Sequence, residues 1–163
     1  MPGASASPHP YARFLPPIRA KCRRLLGSVS AADDVAQETL LRLWKSGLAD
    51  GGDPRTVMAW LYRTCTRLAI DVLRERRKTA LEADPEATPC GIDARACMEA
   101  RAVIATLAGT VPQDELAVVV LCRVDGLAQP DAAQVLGISE RTVRRVIDRF
   151  DQRTETLRRE FSS

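Results

Sequence analysis

The sequence predicts an all-α protein with two small helical domains, joined by a flexible linker, and a helix-turn-helix in the second domain. Apolar residues recur three and four positions apart over most of the chain, as on the buried face of an amphipathic helix. No alternation of apolar and polar residues is long enough to require a sheet. Periodicity is lost from residue 80 to 93, where two prolines and a glycine occur, so this stretch is interpreted as the linker.

Composition narrows the class of protein further. The chain has 163 residues, enough for two small domains, and a net charge of only +3, so the local distribution of arginine matters more than the total. Five cysteines, an odd number without a secretory leader, argue against a disulfide framework. No segment approaches the roughly 18 apolar residues of a membrane span. We therefore expect a cytoplasmic protein with reduced thiols and no membrane insertion.

The first two helices are placed by their terminators and caps. Residues 1–10, rich in proline and small polar residues, are predicted to be a disordered tail. A proline pair then puts the start of the first helix near Pro17, and Gly27 ends it. Ser30, followed by Asp33, has the spacing of a capping box and is expected to open the second helix.

One face of the second helix is polar and acidic. Asp34, Gln37, Glu38 and Leu41 lie at positions i, i+3, i+4 and i+7, which share a face of a helix. Such a face is either simply solvated or a docking surface for another protein, and the residues alone leave both readings open.

The third helix is basic towards its end. Asp53 caps it and Pro54 occupies its first position. Cations at a helix C-terminus are favourable in any protein, but Arg63 and Arg67 extend the basic face back along the helix. Trp60 adds an aromatic ring able to stack on bases, so the pattern also suits binding of single-stranded nucleic acid.

The second domain contains a helix from about residue 93 to 107, another that starts at Pro112, and a helix-turn-helix over residues 129–150. Gly137 is expected to end the first helix of that motif, and Ser139 to cap the second. The second helix has an apolar stripe and an opposite basic face, which favours entry into the DNA major groove over an ordinary helical hairpin. The basic face consists of Arg141, Arg144, Arg145 and Arg149.

Three stretches together resemble one family. ADDVAQETLLRLW, AWLYRTCTRLAIDVLRERR and the segment 112–150 occur in the order and with the separations of the small bacterial sigma factors of the extracytoplasmic-function (ECF) group. The resemblance implies a promoter-melting domain called region two over residues 11–79. It also implies a helix-turn-helix domain called region four over residues 94–163. It covers nearly the whole chain.

The resemblance implies a role for each of the three helical surfaces. The second helix would dock on the coiled coil of the β′ subunit of core RNA polymerase, and the third would capture unpaired bases of the minus-ten promoter element. The implied polymerase-binding residues are Asp34, Gln37, Glu38, Leu41 and Trp44. The implied minus-ten residues are Trp60, Arg63, Arg67, Asp71, Arg74, Arg76 and Arg77. Where the family usually has Arg-Asn, this chain has Thr66-Arg67, which leaves the identity of the captured base open.

Region four is implied to read the minus-thirty-five element as duplex DNA. Arginine is the common partner of guanine in the major groove, and other side chains contact phosphates. Phe150 replaces the usual alanine of the family, which is a change in packing. The implied contact residues are Ser139, Glu140, Arg141, Thr142, Arg144, Arg145 and Arg149.

The partners implied are therefore core RNA polymerase, through its β′ and β subunits, and promoter DNA. Small sigma factors are often held inactive by an anti-sigma factor that wedges against both domains, and a flexible linker would permit such a partner. The resemblance implies no cofactor, metal or catalytic residue.

Three other functions compete with this one. A stand-alone helix-turn-helix regulator would need only the C-terminal half of the chain. An enzyme is disfavoured because the single histidine, His9, lies in the tail and no phosphate-binding glycine loop occurs. A metal or thiol sensor would rely on Cys90 and Cys97, whose spacing is wide for a structural zinc site.

Overall fold

The computed structural model describes residues 11–79 and 94–161, and these are helical without any strand, so the predicted all-α class is confirmed. The tail 1–10, the linker 80–93, His9 and Cys90 lie outside the described residues, and only the backbone of Cys97 is described. The α-helices of the described residues are α1 (Leu15–Leu26), α2 (Val29–Ser46), α3 (Pro54–Thr79), α4 (Ala94–Leu107), α5 (Gln113–Val119), α6 (Gln129–Leu136) and α7 (Glu140–Phe161).

The N-terminal domain is a bundle of α1, α2 and α3, each of which packs against the other two. A short 3₁₀ turn, Ala12–Phe14, leads into α1, which begins at Leu15 rather than near Pro17. The proline pair falls in the first turn of the helix, where a missing N–H costs nothing. The bundle is closed by apolar side chains from all three helices, including Ile18, Leu25, Leu43, Leu61 and Ile70, which are fully buried.

The predicted cap of α2 is wrong by two residues. The N-cap is Ser28, whose hydroxyl accepts a hydrogen bond from the Ala31 N–H at 3.3 Å, and not Ser30. Ser28 is extended, with φ of −107° and ψ of 128°, so the helix begins at Val29 and Ser30 lies inside it. Asp33 instead forms an ion pair with Arg19 of α1, at 2.8 Å. An earlier residue that can also cap a helix has thus taken the place predicted for Ser30.

Other predicted helix ends are confirmed. Gly27 ends α1 with φ of +68°, a left-handed conformation that a side chain would disfavour. Asp53 caps α3, because its carboxylate accepts the Thr56 N–H at 3.1 Å. The backbone freedom of Gly27 and the side-chain hydrogen bond of Asp53 therefore set the end of α1 and the start of α3.

The C-terminal domain consists of α4 to α7. Helix α5 continues directly into a π-helical turn, Val120–Val124, in which hydrogen bonds join residues five positions apart. One of them is donated by the Asp125 N–H to the Val120 carbonyl at 3.0 Å. Helix α7 continues past the helix-turn-helix to Phe161. The core of this domain includes Ile104, Leu116, Leu121, Ala132, Val143 and Ile147.

The two domains are in contact. Helix α3 packs against α4, α5 and α6, and α1 packs against α4 and the π-helical turn. In the parts of the chain that the structure describes, no helix combines the length and the apolar character that crossing a bilayer demands.

Of the cysteines whose side chains are described, Cys22 and Cys65 are buried and Cys122 is half-buried. A hydrogen bond with Cys65, together with burial, raises the pKa of Cys22 well above its usual value. Burial also raises the pKa of Cys122. Cys22 and Cys122 are therefore protonated thiols at neutral pH.

Candidate polymerase and nucleic-acid interfaces

The outer face of α2 forms one side of an apolar groove. Leu41 and Trp44 are 42% and 57% exposed, although both are large apolar residues. The other side of the groove comes from the beginning of the described chain, where the 3₁₀ turn and the start of α1 lie beside α2. The groove is lined by Tyr11, Ala12, Leu15, Gln37, Leu40, Leu41 and Trp44.

Polar residues edge this groove. Asp34 and Gln37 are exposed, and Glu38 is half-buried beside Arg42, whose Nε donates to the Glu38 carboxylate at 2.7 Å. That ion pair lies within one helix and is open to solvent, so it contributes little and can be exchanged for a cation on a partner. All five residues implied in polymerase binding therefore reach the surface of α2.

Sequence reasoning missed the second side of the groove. Tyr11 and Leu15 carry no local sign of a binding role, because they reach α2 only through the packing of α1 against it. The Tyr11 hydroxyl donates to Asp50 at 2.9 Å, and this hydrogen bond raises the pKa of Tyr11. The same hydrogen bond joins the first described residue to the loop that follows α2.

The turn between α6 and α7 has two backbone hydrogen bonds that fix the helix-turn-helix. The Ile138 N–H donates to the Ala133 carbonyl at 3.1 Å, and the Gly137 N–H donates to the Gln134 carbonyl at 3.3 Å. With φ of +68° at Gly137, this is a Schellman motif, which satisfies carbonyls that would otherwise be unpaired. The predicted glycine terminator is confirmed.

Ser139 then opens α7, as predicted. Its hydroxyl accepts the Thr142 N–H at 3.2 Å and lies 2.9 Å from the Thr142 hydroxyl. Val143, Val146 and Ile147 are buried on the side of α7 that faces the domain. The cap and the buried stripe together fix which side of α7 is left to solvent.

The solvent side of α7 carries free arginines. Arg141, Arg144 and Arg145 are exposed, and none of the three forms an ion pair within the described residues. Arg149 differs, because it pairs with Glu115 of α5 at 2.6 Å. Thr142 is half-buried and hydrogen-bonded to Ser139, whereas Ser139 and Glu140 are themselves exposed.

The basic face of α3 is engaged within the chain. Arg74 donates to the Ala108 carbonyl at 2.7 Å and to the Val111 carbonyl at 3.0 Å. Arg67 forms an ion pair with Asp114 at 3.1 Å. The connection between α4 and α5 therefore lies over the middle and end of α3.

Not all of the remaining implied minus-ten residues are part of this contact. Asp71 accepts a hydrogen bond from the Gln113 side chain at 3.0 Å, beneath the same connection. Trp60 and Arg63, half-buried, lie nearer the start of α3, outside that contact, and Arg77 is exposed near its end. Residue Thr66 is fully buried, so it faces the core and not a nucleic acid.

Arg76 is directed to the end of α1, where it donates to the Leu26 carbonyl at 3.0 Å. Arg101 of α4 reaches the same helix end and lies close to Gly27, where its guanidinium occupies the space that a Cβ would need. Burial lowers the pKa of Arg101, and the positive charge of Arg76 lowers it further. These cations compensate the negative end of the α1 dipole.

A buried ion pair joins the two domains. The ammonium of Lys21 bonds to the carboxylate of Asp125, and each side chain is only 1% exposed. Arg24 reaches the other carboxylate oxygen of Asp125 at 3.1 Å. Sequence reasoning missed this pair, although Lys21 lies on the apolar stripe of α1 that also carries Ile18 and Leu25, which marks it as a buried cation.

The fold and these surfaces define a helix-turn-helix protein with a second helical domain. A model of the Sigma-70 region 2 family matches residues 10–79, and a model of a Homeodomain-like domain matches residues 111–158. Among curated relatives, ECF RNA polymerase sigma factor SigL of Mycobacterium tuberculosis is 32% identical over 128 residues, covering 74% of this chain and 71% of that protein.

Two further relatives carry the same family name. ECF RNA polymerase sigma factor SigE of Mycolicibacterium smegmatis is 30% identical over 151 residues, covering 86% of this chain and 56% of that protein. SigJ of Mycobacterium tuberculosis is 36% identical over 140 residues, covering 77% of this chain and 43% of that protein. The chain thus spans about half the length of these two relatives. The chain belongs to the ECF RNA polymerase sigma factor family.

Proposed function

We propose that this chain binds core RNA polymerase and directs it to promoters as an alternative sigma factor. One observation carries the proposal. Among the described residues, the large apolar side chains that remain exposed are Leu41, Trp44 and Met98, and two of these three lie on the acidic face of α2. Exposed aromatic and aliphatic side chains beside polar groups are typical of the centre of a protein interface.

The α2 groove is the proposed docking site for the coiled coil of the β′ subunit. Asp34 and Glu38 would meet arginines of the partner in charge-assisted hydrogen bonds, while Leu41 and Trp44 supply the apolar contact. The β subunit is proposed as a second contact of the assembled polymerase. A location in the cytoplasm, where the polymerase works, is part of the proposal, and no catalytic step is assigned to the chain.

The two DNA-binding surfaces are proposed to lie on α3 and α7. On α7, Arg141, Arg144 and Arg145 are free to meet guanines and phosphates in the minus-thirty-five element, with Arg149 at the end of the same surface. On α3, a cationic track next to Trp60 suits an unpaired minus-ten strand. An anti-sigma factor that separates or covers these surfaces is a further proposed partner.

The test is transcription in vitro with the full chain, purified core polymerase free of other sigma factors, and a library of promoter sequences. Initiation from a subset of the library is expected, and the selected sequences would show two conserved blocks, one for each domain. A chain that binds duplex DNA but gives no transcript would instead be a stand-alone helix-turn-helix regulator. No complex with core polymerase at all would refute the proposal.

A further inference from the structure

The arginines of the α7 surface are not equivalent. Arg141, Arg144 and Arg145 are exposed, and the described part of the chain holds no ion pair for any of them. Arg149 is bonded to another helix, because its Nη1 donates to the Glu115 carboxylate of α5 at 2.6 Å. The surface proposed for duplex DNA therefore combines three free guanidinium groups with one that already has an anionic partner.

The Glu115–Arg149 pair is better fixed than an ordinary surface pair. Its side chains are 25% and 41% exposed, and the packing of α5 against α7 brings them together across 34 positions of sequence. The Glu38–Arg42 pair, in contrast, lies within one helix and is 45% and 51% exposed. A short charge-assisted bond that is partly shielded from water is stronger and less screened by salt. Arg149 therefore keeps its partner in the free chain.

The position of Arg149 along α7 limits what it could contact on DNA. It lies nine residues after Glu140, the first residue of the helix, which is about 14 Å along the axis. A recognition helix contacts base edges with its N-terminal residues. The free arginines occupy about the first two turns, whereas Arg149 follows one turn after Arg145 on the same side. An arginine at this distance would meet phosphates and not bases.

The carboxylate of Glu115 opposes such a phosphate contact. Phosphate contacts carry no sequence information, and they supply the affinity that a protein has for any duplex. A guanidinium that is neutralised by its own chain adds nothing to this affinity, and the nearby negative charge repels the DNA backbone. The pair therefore lowers binding to all sequences alike and leaves the arginines nearer the base-reading end of α7 unaffected.

We propose that Glu115 is a specificity-determining residue that withholds Arg149 from the DNA backbone. Duplex DNA is then held by the free arginines at the beginning of α7, where bases are read, and sequence-independent binding is kept low. This inference rests on the proposed function of α7 as the reader of duplex DNA.

The test variant is Glu115→Gln, which keeps the shape of the side chain and removes its charge. Because 41% of the Arg149 side chain is exposed, the change leaves no buried charge without a partner. Fluorescence anisotropy gives the affinity of the full chain for a labelled duplex of about 20 base pairs of randomised sequence, between 50 and 200 mM salt. One added phosphate contact steepens the logarithmic salt dependence by about 0.9, so the gain in affinity at 50 mM salt should be about 3.5-fold or more.

Substitutions of two arginines locate this effect. Arg149→Gln alone should leave the salt dependence unchanged, because the guanidinium is already withheld. Combined with Glu115→Gln, it should abolish the gain. Arg145→Gln makes the same change one turn earlier, at a free arginine, and should flatten the salt dependence by about 0.9.

The matched control for the carboxylate is Glu155→Gln. It makes the same chemical change on α7, in an exposed pair with Arg159 at 3.2 Å, about 15 Å beyond Arg149 along the helix. It should leave the salt dependence unchanged. Helical circular dichroism establishes that each variant is folded.

Each outcome decides between the claims. A salt dependence in Glu115→Gln that is unchanged or flatter overturns the inference. A gain that persists in the double variant, or that Glu155→Gln reproduces, overturns it too, because the loss of any negative charge would then explain the effect. A flatter dependence in Arg149→Gln alone would show that Arg149 contacts the backbone despite Glu115. An unchanged dependence in Arg145→Gln would instead refute α7 as the duplex-binding surface, and this inference with it.

Discussion

Replacement of Trp44 by alanine is the sharpest test of the α2 groove. A tryptophan covers about 150–250 Å² when it is buried. Because 57% of Trp44 is exposed in the free chain, roughly 90–140 Å² remains for a partner to cover. At about 25 cal/mol per Å² this area corresponds to about 2–3.5 kcal/mol of binding free energy. The lower value alone predicts a loss of about thirtyfold in affinity for core polymerase.

The same exposure predicts that folding is nearly unaffected. A substitution at an exposed site changes the free energy of unfolding by about 0.5 kcal/mol or less. The assay is a titration of core polymerase with the labelled full chain, together with a thermal melt of the free variant. A lost affinity with an unchanged melting midpoint would locate the effect at the interface.

Met98 provides the matched control, because it is 51% exposed and lies on α4, away from the groove. Met98→Ala removes a comparable exposed apolar side chain and should change affinity by less than about twofold. The reasoning is refuted if Trp44→Ala also stays within about twofold of the unaltered chain. It is equally refuted if Met98→Ala weakens binding as much as Trp44→Ala.

Three further substitutions address polarity and stability. Glu38→Arg should weaken binding to core polymerase without unfolding the chain, because it reverses the charge at the groove and removes only an exposed pair with Arg42; unchanged affinity in the titration would contradict the docking assignment. Ser139→Ala removes the cap of α7 and should lower the free energy of unfolding by about 1 kcal/mol, measured by urea denaturation. Thr66→Val should raise it by about 1 kcal/mol, because the buried Thr66 hydroxyl has no hydrogen-bond partner among the described residues; a loss of stability in the same assay would indicate an unrecognised partner for that hydroxyl.

Helix positions and most of their ends could be read from the sequence. Gly27, Asp53, Gly137 and Ser139 act through bonds to residues a few positions away, so their roles depend little on the rest of the fold. Ser30 shows the limit of such local reasoning. Two serines lie within three residues at this helix start, and the backbone conformation made Ser28 the cap.

The candidate site was predictable to a similar degree. The face of α2 with Gln37 and Leu41, and the basic side of α7, follow from helical spacing, because residues three and four positions apart share a face. The second side of the groove, with Tyr11 and Leu15, does not follow from spacing. It arises where two helices meet, and no local pattern encodes which side chains will line such a junction.

The sequence by itself determined the helices, their apolar stripes and the side of each helix that stays polar, since these depend on a repeat of 3.6 residues and on nearby caps. Only the tertiary structure decided that Arg67 and Arg74 are bonded within the chain and that Lys21 meets Asp125. The physical reason is that these contacts join positions far apart in the chain. They form only when the two helical domains, each with its own apolar pattern, pack against each other.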